Sequence, residues 1–285
     1  MKVVPVQRVM SPADADKLVG RTVGDDEPWM PCEGPVLMMD ADDPTLPVMA
    51  YLPLSDPGPL RQAVRSAKMT TTLRAGTGMR NASRTFGMAP RKPVQWREGC
   101  AETSLARDDP AVQAVLTDYA AICRDTLADL LPAEVERGKA VVGQVLPEWR
   151  LAEDALWTSG VINANSALPY HRDRFNFDAW SAMPVLRRGV RGGYLSVPEY
   201  GLTVPCRDGW ALYWSGFRLL HGVTPLTKVA KDGYRFSVVY YALKGMKDCF
   251  TAAAELTYSQ QKRTSREHAP AMPNDDGDPY GRVPE

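Results

Sequence analysis

Between Trp157 and Leu243 the sequence sets out seven short apolar runs, at 157–164, 182–186, 194–197, 202–204, 210–214, 221–224 and 234–243. Glycine or proline stands between each run and the next. Runs this short suit strands, which need only a few residues, and the breakers between them supply turns. So many closely spaced strands predict a barrel or a double-sheet jelly roll. In either fold, side chains distant in sequence can meet at one mouth.

The remainder of the chain adds helices, which makes the expected class α+β. Asp109 is a good N-cap and Pro110 fits the first helical position. Val112, Val115, Leu116, Tyr119, Ile122, Cys123, Leu127 and Leu130 follow at helical spacing, and Pro132 ends the run. This helix over 110–131 is expected to buttress the outer face of the sheet. Shorter helices are expected over 59–68 and 133–141. Residues 1–60 read as strands and turns, with strands near 36–39 and 47–52, forming an extension packed on a catalytic region at 61–257. Residues 258–285 are polar and read as a mobile tail that includes His268.

The five cysteines are scattered and include no Cys-x-x-Cys pair, so neither a zinc knuckle nor a disulfide framework is expected. That pattern fits a reducing, cytoplasmic setting. No apolar run approaches the roughly 20 residues of a membrane span, so no membrane partner is expected, and the expected state is a monomer. The formal net charge is zero, yet from Arg61 to Arg97 there are nine Lys and Arg residues and no Asp or Glu. Such a block can present a basic face despite a neutral sum, or it can pair with the acidic stretches elsewhere. Gly76-x-Gly78 within it lacks the third glycine of a dinucleotide site and the Gly-Lys-Ser/Thr of a P-loop. A basic, glycine-bearing loop at 74–90 suits phosphate contacts.

Histidine is scarce, which narrows any metal site. Of three histidines, His268 lies in the polar tail, leaving His171 and His221. His171 and Asp173 are separated by one residue, and His221 follows 48 residues after Asp173. Two histidines and a carboxylate cover one face of a ferrous ion and leave positions open. Fourteen residues after His221 comes Arg235, then Ser237, on an expected strand. His171-Arg-Asp173 also matches the start of a kinase catalytic loop, but Asp178 stands where that loop needs Asn, and the other kinase signatures are absent.

His171-x-Asp173, His221 and Arg235-x-Ser237 together resemble the Fe(II)/2-oxoglutarate dioxygenases, whose core is a double-stranded β-helix. His171-Arg-Asp-Arg-Phe-Asn176 resembles the His-x-Asp-x-x-Asn of the TET/JBP family of DNA-base oxygenases. The stretch 186–201 is similar to the strand–turn–strand of that family's JBP-like and phage-type branch, and 235–241 to the end of its core. The resemblance covers roughly 74–250.

The resemblance implies that His171, Asp173 and His221 bind Fe(II). It implies that Arg235 pairs with the distal carboxylate of 2-oxoglutarate, with Ser237 adding a hydrogen bond. Asn176 would contact the polar edge of the target base, Tyr241 would stack on its face, and Asn81 would be a second base contact. Arg80 and Arg84 would hold the DNA backbone. The implied reaction consumes O2 and 2-oxoglutarate and hydroxylates the methyl of a flipped-out 5-methylcytosine in DNA. One departure matters: Leu243 stands where several 5-methylcytosine oxidisers have histidine, and leucine forms no hydrogen bond. Thymine, giving 5-hydroxymethyluracil, therefore stays open as substrate. A small-molecule dioxygenase and a binding module with a vestigial metal site are the remaining alternatives.

Overall fold

The computed structural model describes residues 1–73, 80–92, 97–152 and 156–267. The glycine pair at 76 and 78, and His268 with the rest of the polar tail, lie outside the described residues.

The architecture is a double-stranded β-helix with helices on one outer face. Its strands are β1 (Lys2–Val6), β2 (Val36–Asp40), β3 (Pro47–Pro53), β4 (Thr70–Leu73), β5 (Arg80–Ala89), β6 (Ala101–Glu102), β7 (Ser159–Ala164) and β8 (Leu168–His171). There follow β9 (Ser181–Arg188), β10 (Val190–Gly192), β11 (Leu195–Val197), β12 (Leu202–Val204), β13 (Trp210–Trp214), β14 (His221–Val223), β15 (Leu226–Lys228) and β16 (Tyr234–Tyr241). The large sheet runs β1-β2-β3-β13-β9-β16-β7-β5-β4, with β6 on β5. The facing sheet runs β12-β11-β14-β8, and β10 pairs with β15.

The period-two geometry of strands sorts β16 into two faces. Arg235, Ser237, Val239 and Tyr241 line the space between the sheets. Phe236, Val238 and Tyr240 turn the other way, into an apolar layer under the helices. That layer receives α2 (Gly58–Ser66) and α4 (Pro110–Leu130). Asp109 caps α4 by accepting from the Val112 amide at 3.2 Å, and Val112, Leu116, Tyr119, Cys123 and Leu127 are its buried stripe. The Tyr240 hydroxyl donates to the Leu116 carbonyl at 2.9 Å, fastening helix to sheet. The helix thus buttresses the outer face, as its pattern predicts, and α5 (Pro132–Val142) follows directly. A second apolar cluster lies between the sheets and includes Met38, Met49, Met183, Leu212, Trp214 and Val223.

Four expectations need correction. Residues 80–89 form a strand rather than a loop, because their backbone pairs with β7 from Ala82 opposite Ala164 to Gly87 opposite Ser159. Residues 1–60 are continuous with the large sheet, since β3 pairs with β13 over five residues. The segment 258–267 belongs to a helix, α6 (Ala252–Glu267), whose buried Glu255 ties it down. Finally, Cys100 and Cys249 form a disulfide across a separation of 149 residues. The Glu255 carboxylate beside it accepts from the Cys100 and Phe250 amides and from Arg91. Cys32, Cys123 and Cys206 are free thiols. Among the described residues, no helix is long and apolar enough to cross a membrane.

Candidate active site

Strand register brings the two histidines together. His171 ends β8, His221 begins β14, and the two are direct cross-strand partners. Their rings sit 4.4 Å apart between centroids. The chain then turns beyond β8 so that the Asp173 amide donates to the Gly216 carbonyl at 2.9 Å. A side chain at Gly216 would meet Asp173 Oδ2 at 2.5 Å, so the space the carboxylate occupies depends on glycine there. Asp173 Oδ1 lies 3.7 Å from His171 Nε2 and Oδ2 lies 3.9 Å from His221 Nε2. The three ligand atoms fall within 4.8 Å of one another, a group able to hold a metal ion.

Both imidazoles are oriented for that task. His171 Nδ1 is 2.8 Å from the Pro169 carbonyl and His221 Nδ1 is 3.0 Å from the Leu219 carbonyl. A carbonyl only accepts, so each Nδ1 carries the proton, which leaves Nε2 as the ligand atom on the side of Asp173. Burial pushes the pKa of His221 down to about 4, so it is neutral near pH 7.

Beneath the triad lies Arg235, 1% exposed. Nη1 reaches the Ser237 hydroxyl at 3.4 Å, while Nε and Nη2 are buried with no hydrogen-bond partner. Burial lowers its pKa from the ordinary arginine value. Gly193, at φ +69°, makes room for it, since a Cβ there would lie 2.6 Å from Arg235 Cδ. Unpaired guanidinium groups in an interior are costly unless an anion completes them. The donor set therefore fits a divalent ion in the triad and a carboxylate on Arg235.

Two cavities meet at the triad. The inner one is lined by Arg235, Ser237, Asn163 and Trp214, and the outer one by Asn176 and Leu243. His171, Asp173 and Tyr241 border both. Asn176 and Leu243 face each other across a β-bridge, which places Leu243 at the outer cavity as its sequence position suggests.

The basic run is placed differently. Arg84 pairs with Asp108 at 2.6 Å, and Arg61 holds Asp208 through two contacts of 2.8 and 3.0 Å. Arg91 pairs with Glu255. These cations are matched by carboxylates from other elements. The backbones of Arg80 and Asn81 lie in β5, but their side chains fall outside the described part of the molecule.

Sequence reading overlooked Glu199, which is fully buried. Its carboxylate accepts from the Leu220 amide at 2.7 Å, next to His221. It also accepts from Arg172, between His171 and Asp173, at 3.2 Å, and Arg8 lies 3.7 Å away. Asp16 holds the other side of Arg172 at 2.6 Å. One buried carboxylate thus ties both ligand-bearing segments together. The only local signal was a single charged residue inside an otherwise uncharged stretch at 195–204.

No protein-family model matches the sequence, and no curated protein matches it. Solved structures do. NgTET1 in complex with 5mC DNA aligns with 84% of this chain and 89% of its own, at TM-score 0.56 and 16% identity. A 2OG-Fe(II) oxygenase family protein from Burkholderia pseudomallei covers 69% of this chain and 88% of its own, at TM-score 0.47 and 14% identity. OsALKBH1 covers 68% and 97%, at TM-score 0.37 and 11% identity. At this identity the first likeness is one of fold: the chain shares the overall fold of NgTET1.

Proposed function

We propose that this protein is an Fe(II)/2-oxoglutarate-dependent dioxygenase that hydroxylates the methyl group of 5-methylcytosine in DNA. The observation that carries the reading is Arg235, a buried guanidinium with two unpaired nitrogens in the cavity that the metal triad borders. A dicarboxylate that reaches from the triad to Arg235 supplies the missing acceptor, and 2-oxoglutarate is such a molecule. When bound, iron and 2-oxoglutarate supply O2 activation coupled to decarboxylation to succinate.

The chain's own residues do the rest. His171, Asp173 and His221 would hold the ion, with the Nδ1 protons of the two histidines fixed by the Pro169 and Leu219 carbonyls. Arg235 and Ser237 orient the cosubstrate away from the outer cavity. Tyr241 and Asn176 offer a flipped base an aromatic face and an amide at that outer cavity. Stacking on an aromatic contributes roughly 1–3 kcal/mol toward the few kcal/mol that flipping costs. The 5mC DNA in the NgTET1 complex supports this substrate class.

A second reading keeps the chemistry and changes the base. Leu243 lines the outer cavity with no hydrogen-bonding group, which favours neither pyrimidine edge, so thymine is the alternative substrate for methyl hydroxylation. Incubating the protein with Fe(II), 2-oxoglutarate and ascorbate on DNA containing both bases, then analysing nucleosides by mass, separates the two. The expected product is 5-hydroxymethylcytosine, dependent on 2-oxoglutarate. 5-Hydroxymethyluracil alone would replace the first reading with the second. Succinate formation without either product would point to a small-molecule substrate, and no turnover at all to a binding module.

A further inference from the structure

Phe175 is 85% exposed, and among the described residues no other large apolar side chain is as exposed. It stands on the rim of the outer cavity, between Arg174 and the buried Asn176. Its backbone is firmly held. The Phe175 carbonyl accepts from the Lys244 amide at 3.0 Å, and the Phe177 amide donates to the Ala242 carbonyl at 2.8 Å. The Asn176 amide donates to the Asp173 carbonyl at 2.9 Å, so the same turn carries a metal ligand and the aromatic. Exposing a whole phenyl ring to water is unfavourable, and a rigid backbone cannot fold it away.

Two cations neighbour Phe175 along the backbone, Arg174 before it and Lys244, whose amide is bonded to its carbonyl. Arg174 is exposed, and among the described residues its carboxylate contact is to Asp16, at 3.4 Å. Lys244 Nζ lies 4.1 Å from the Phe217 ring centroid and 3.3 Å from the Arg174 carbonyl, and no described carboxylate pairs with it. An exposed apolar ring on the rim of the outer cavity, with Arg174 before it in the chain and Lys244 bonded to its backbone, suits what a DNA duplex presents when a base leaves its stack: an apolar gap between two phosphate backbones.

We propose that Phe175 inserts into the DNA duplex at the position vacated by the target nucleotide, with Arg174 and Lys244 on the flanking phosphates. This rests on the DNA-oxygenase reading above. Apolar wedges between base steps are an established way to offset unstacking. Phe175 acts on the duplex, not on the reacting methyl group, so it is a positioning residue.

The test compares Phe175→Ala and Phe175→Leu with the wild-type full chain on one 5-methylcytosine oligonucleotide in three forms: duplex, single strand, and duplex mismatched opposite the target. Loss of the wedge should lower duplex turnover by about 10-fold or more, because unstacking is no longer offset. Single-strand turnover should stay within about 2-fold, and the mismatch should restore much of the loss, since an unpaired base flips at lower cost. Phe175→Leu, which keeps an apolar wedge, should recover part of the duplex activity. As a readout apart from turnover, 2-aminopurine beside the target in a duplex should brighten with wild type and less with Phe175→Ala. Equal losses on duplex and single strand would mean that Phe175 touches the base itself and would overturn the proposal. So would an unchanged duplex rate. Wild-type protein that binds and converts no form of the DNA would instead remove the DNA reading, and this proposal with it.

Discussion

Arg235 and Arg84 are both arginines on strands of one sheet, and they illustrate opposite uses of charge. Arg84, 16% exposed, pairs with Asp108 near the surface, and its neighbours in the basic run, Arg61 and Arg91, also hold carboxylates. Arg235 is buried, and two of its guanidinium nitrogens find no hydrogen-bond partner among the described residues, with the Cys206 thiol close by. A cation matched by the fold is complete without a ligand, whereas a desolvated cation left unmatched marks the place for one. Linear charge density does not separate these arginines from one another; burial and missing partners single out Arg235.

The comparison is most directly broken at Arg235. Arg235→Met should weaken 2-oxoglutarate binding to the Mn(II)-loaded protein by about 2–5 kcal/mol, the usual effect of truncating one partner of a buried charge pair. Thermal unfolding without ligand should show no loss of stability, because an uncompensated buried charge is removed. Unchanged affinity by calorimetry would mean the carboxylate binds elsewhere.

Glu199 is a buried charge with every partner present, so it sharpens the contrast. Glu199→Gln keeps an acceptor for the Leu220 amide but removes the ion pairs to Arg172 and Arg8. Metal affinity should fall by about 10–100-fold, the range for outer partners of metal ligands. Co(II) titration followed by absorption would read this, and a change smaller than 2-fold would show that the triad holds its geometry alone.

A smaller effect is expected at the outer cavity. Leu243→His introduces one hydrogen-bonding group beside Asn176, and the ratio of cytosine to thymine products should move by about 1 kcal/mol, the net worth of one hydrogen bond. A ratio that stays fixed would place Leu243 away from the base edge. The least effect belongs to the matched cations. Arg84→Ala should cost about 1 kcal/mol of stability or less, as exposed pairs do. The salt dependence of DNA affinity should not change, whereas a true phosphate contact would lower the slope by about 0.9.

What was legible in the chain follows from how local each signal is. Helix α4 was readable because its cap, its first proline and its apolar stripe all lie within one continuous stretch. The triad was readable because histidine is scarce and His171 and Asp173 are near neighbours. The strand alternation that aims Arg235 and Ser237 inward is likewise a property of eight successive residues. By contrast, the partners of Arg84, Arg61 and Arg91, the bond between Cys100 and Cys249, and the hold of Glu199 on two segments are all tertiary matters. No spacing rule links Arg91 to Glu255 or Arg8 to Glu199. Residues 80–89 look like a loop by composition, and only pairing with β7 makes them a strand.

The union of β3 with β13 has a consequence for the order in which the molecule can be made. During synthesis β1, β2 and β3 emerge well before β13, the second neighbour of β3, which lies about 160 residues later in the chain. Arg8 and Asp16, which brace Arg172 and Glu199, must also await segments beyond 170. The earliest part of the polypeptide therefore spends most of translation as an incomplete sheet with an open edge. Non-local pairing of this kind is slow and exposes edges to other chains. The braces around the metal-ligating group are complete only when that wait ends, so uptake of a metal ion there would report that the N-terminal strands and the later part of the chain have found each other.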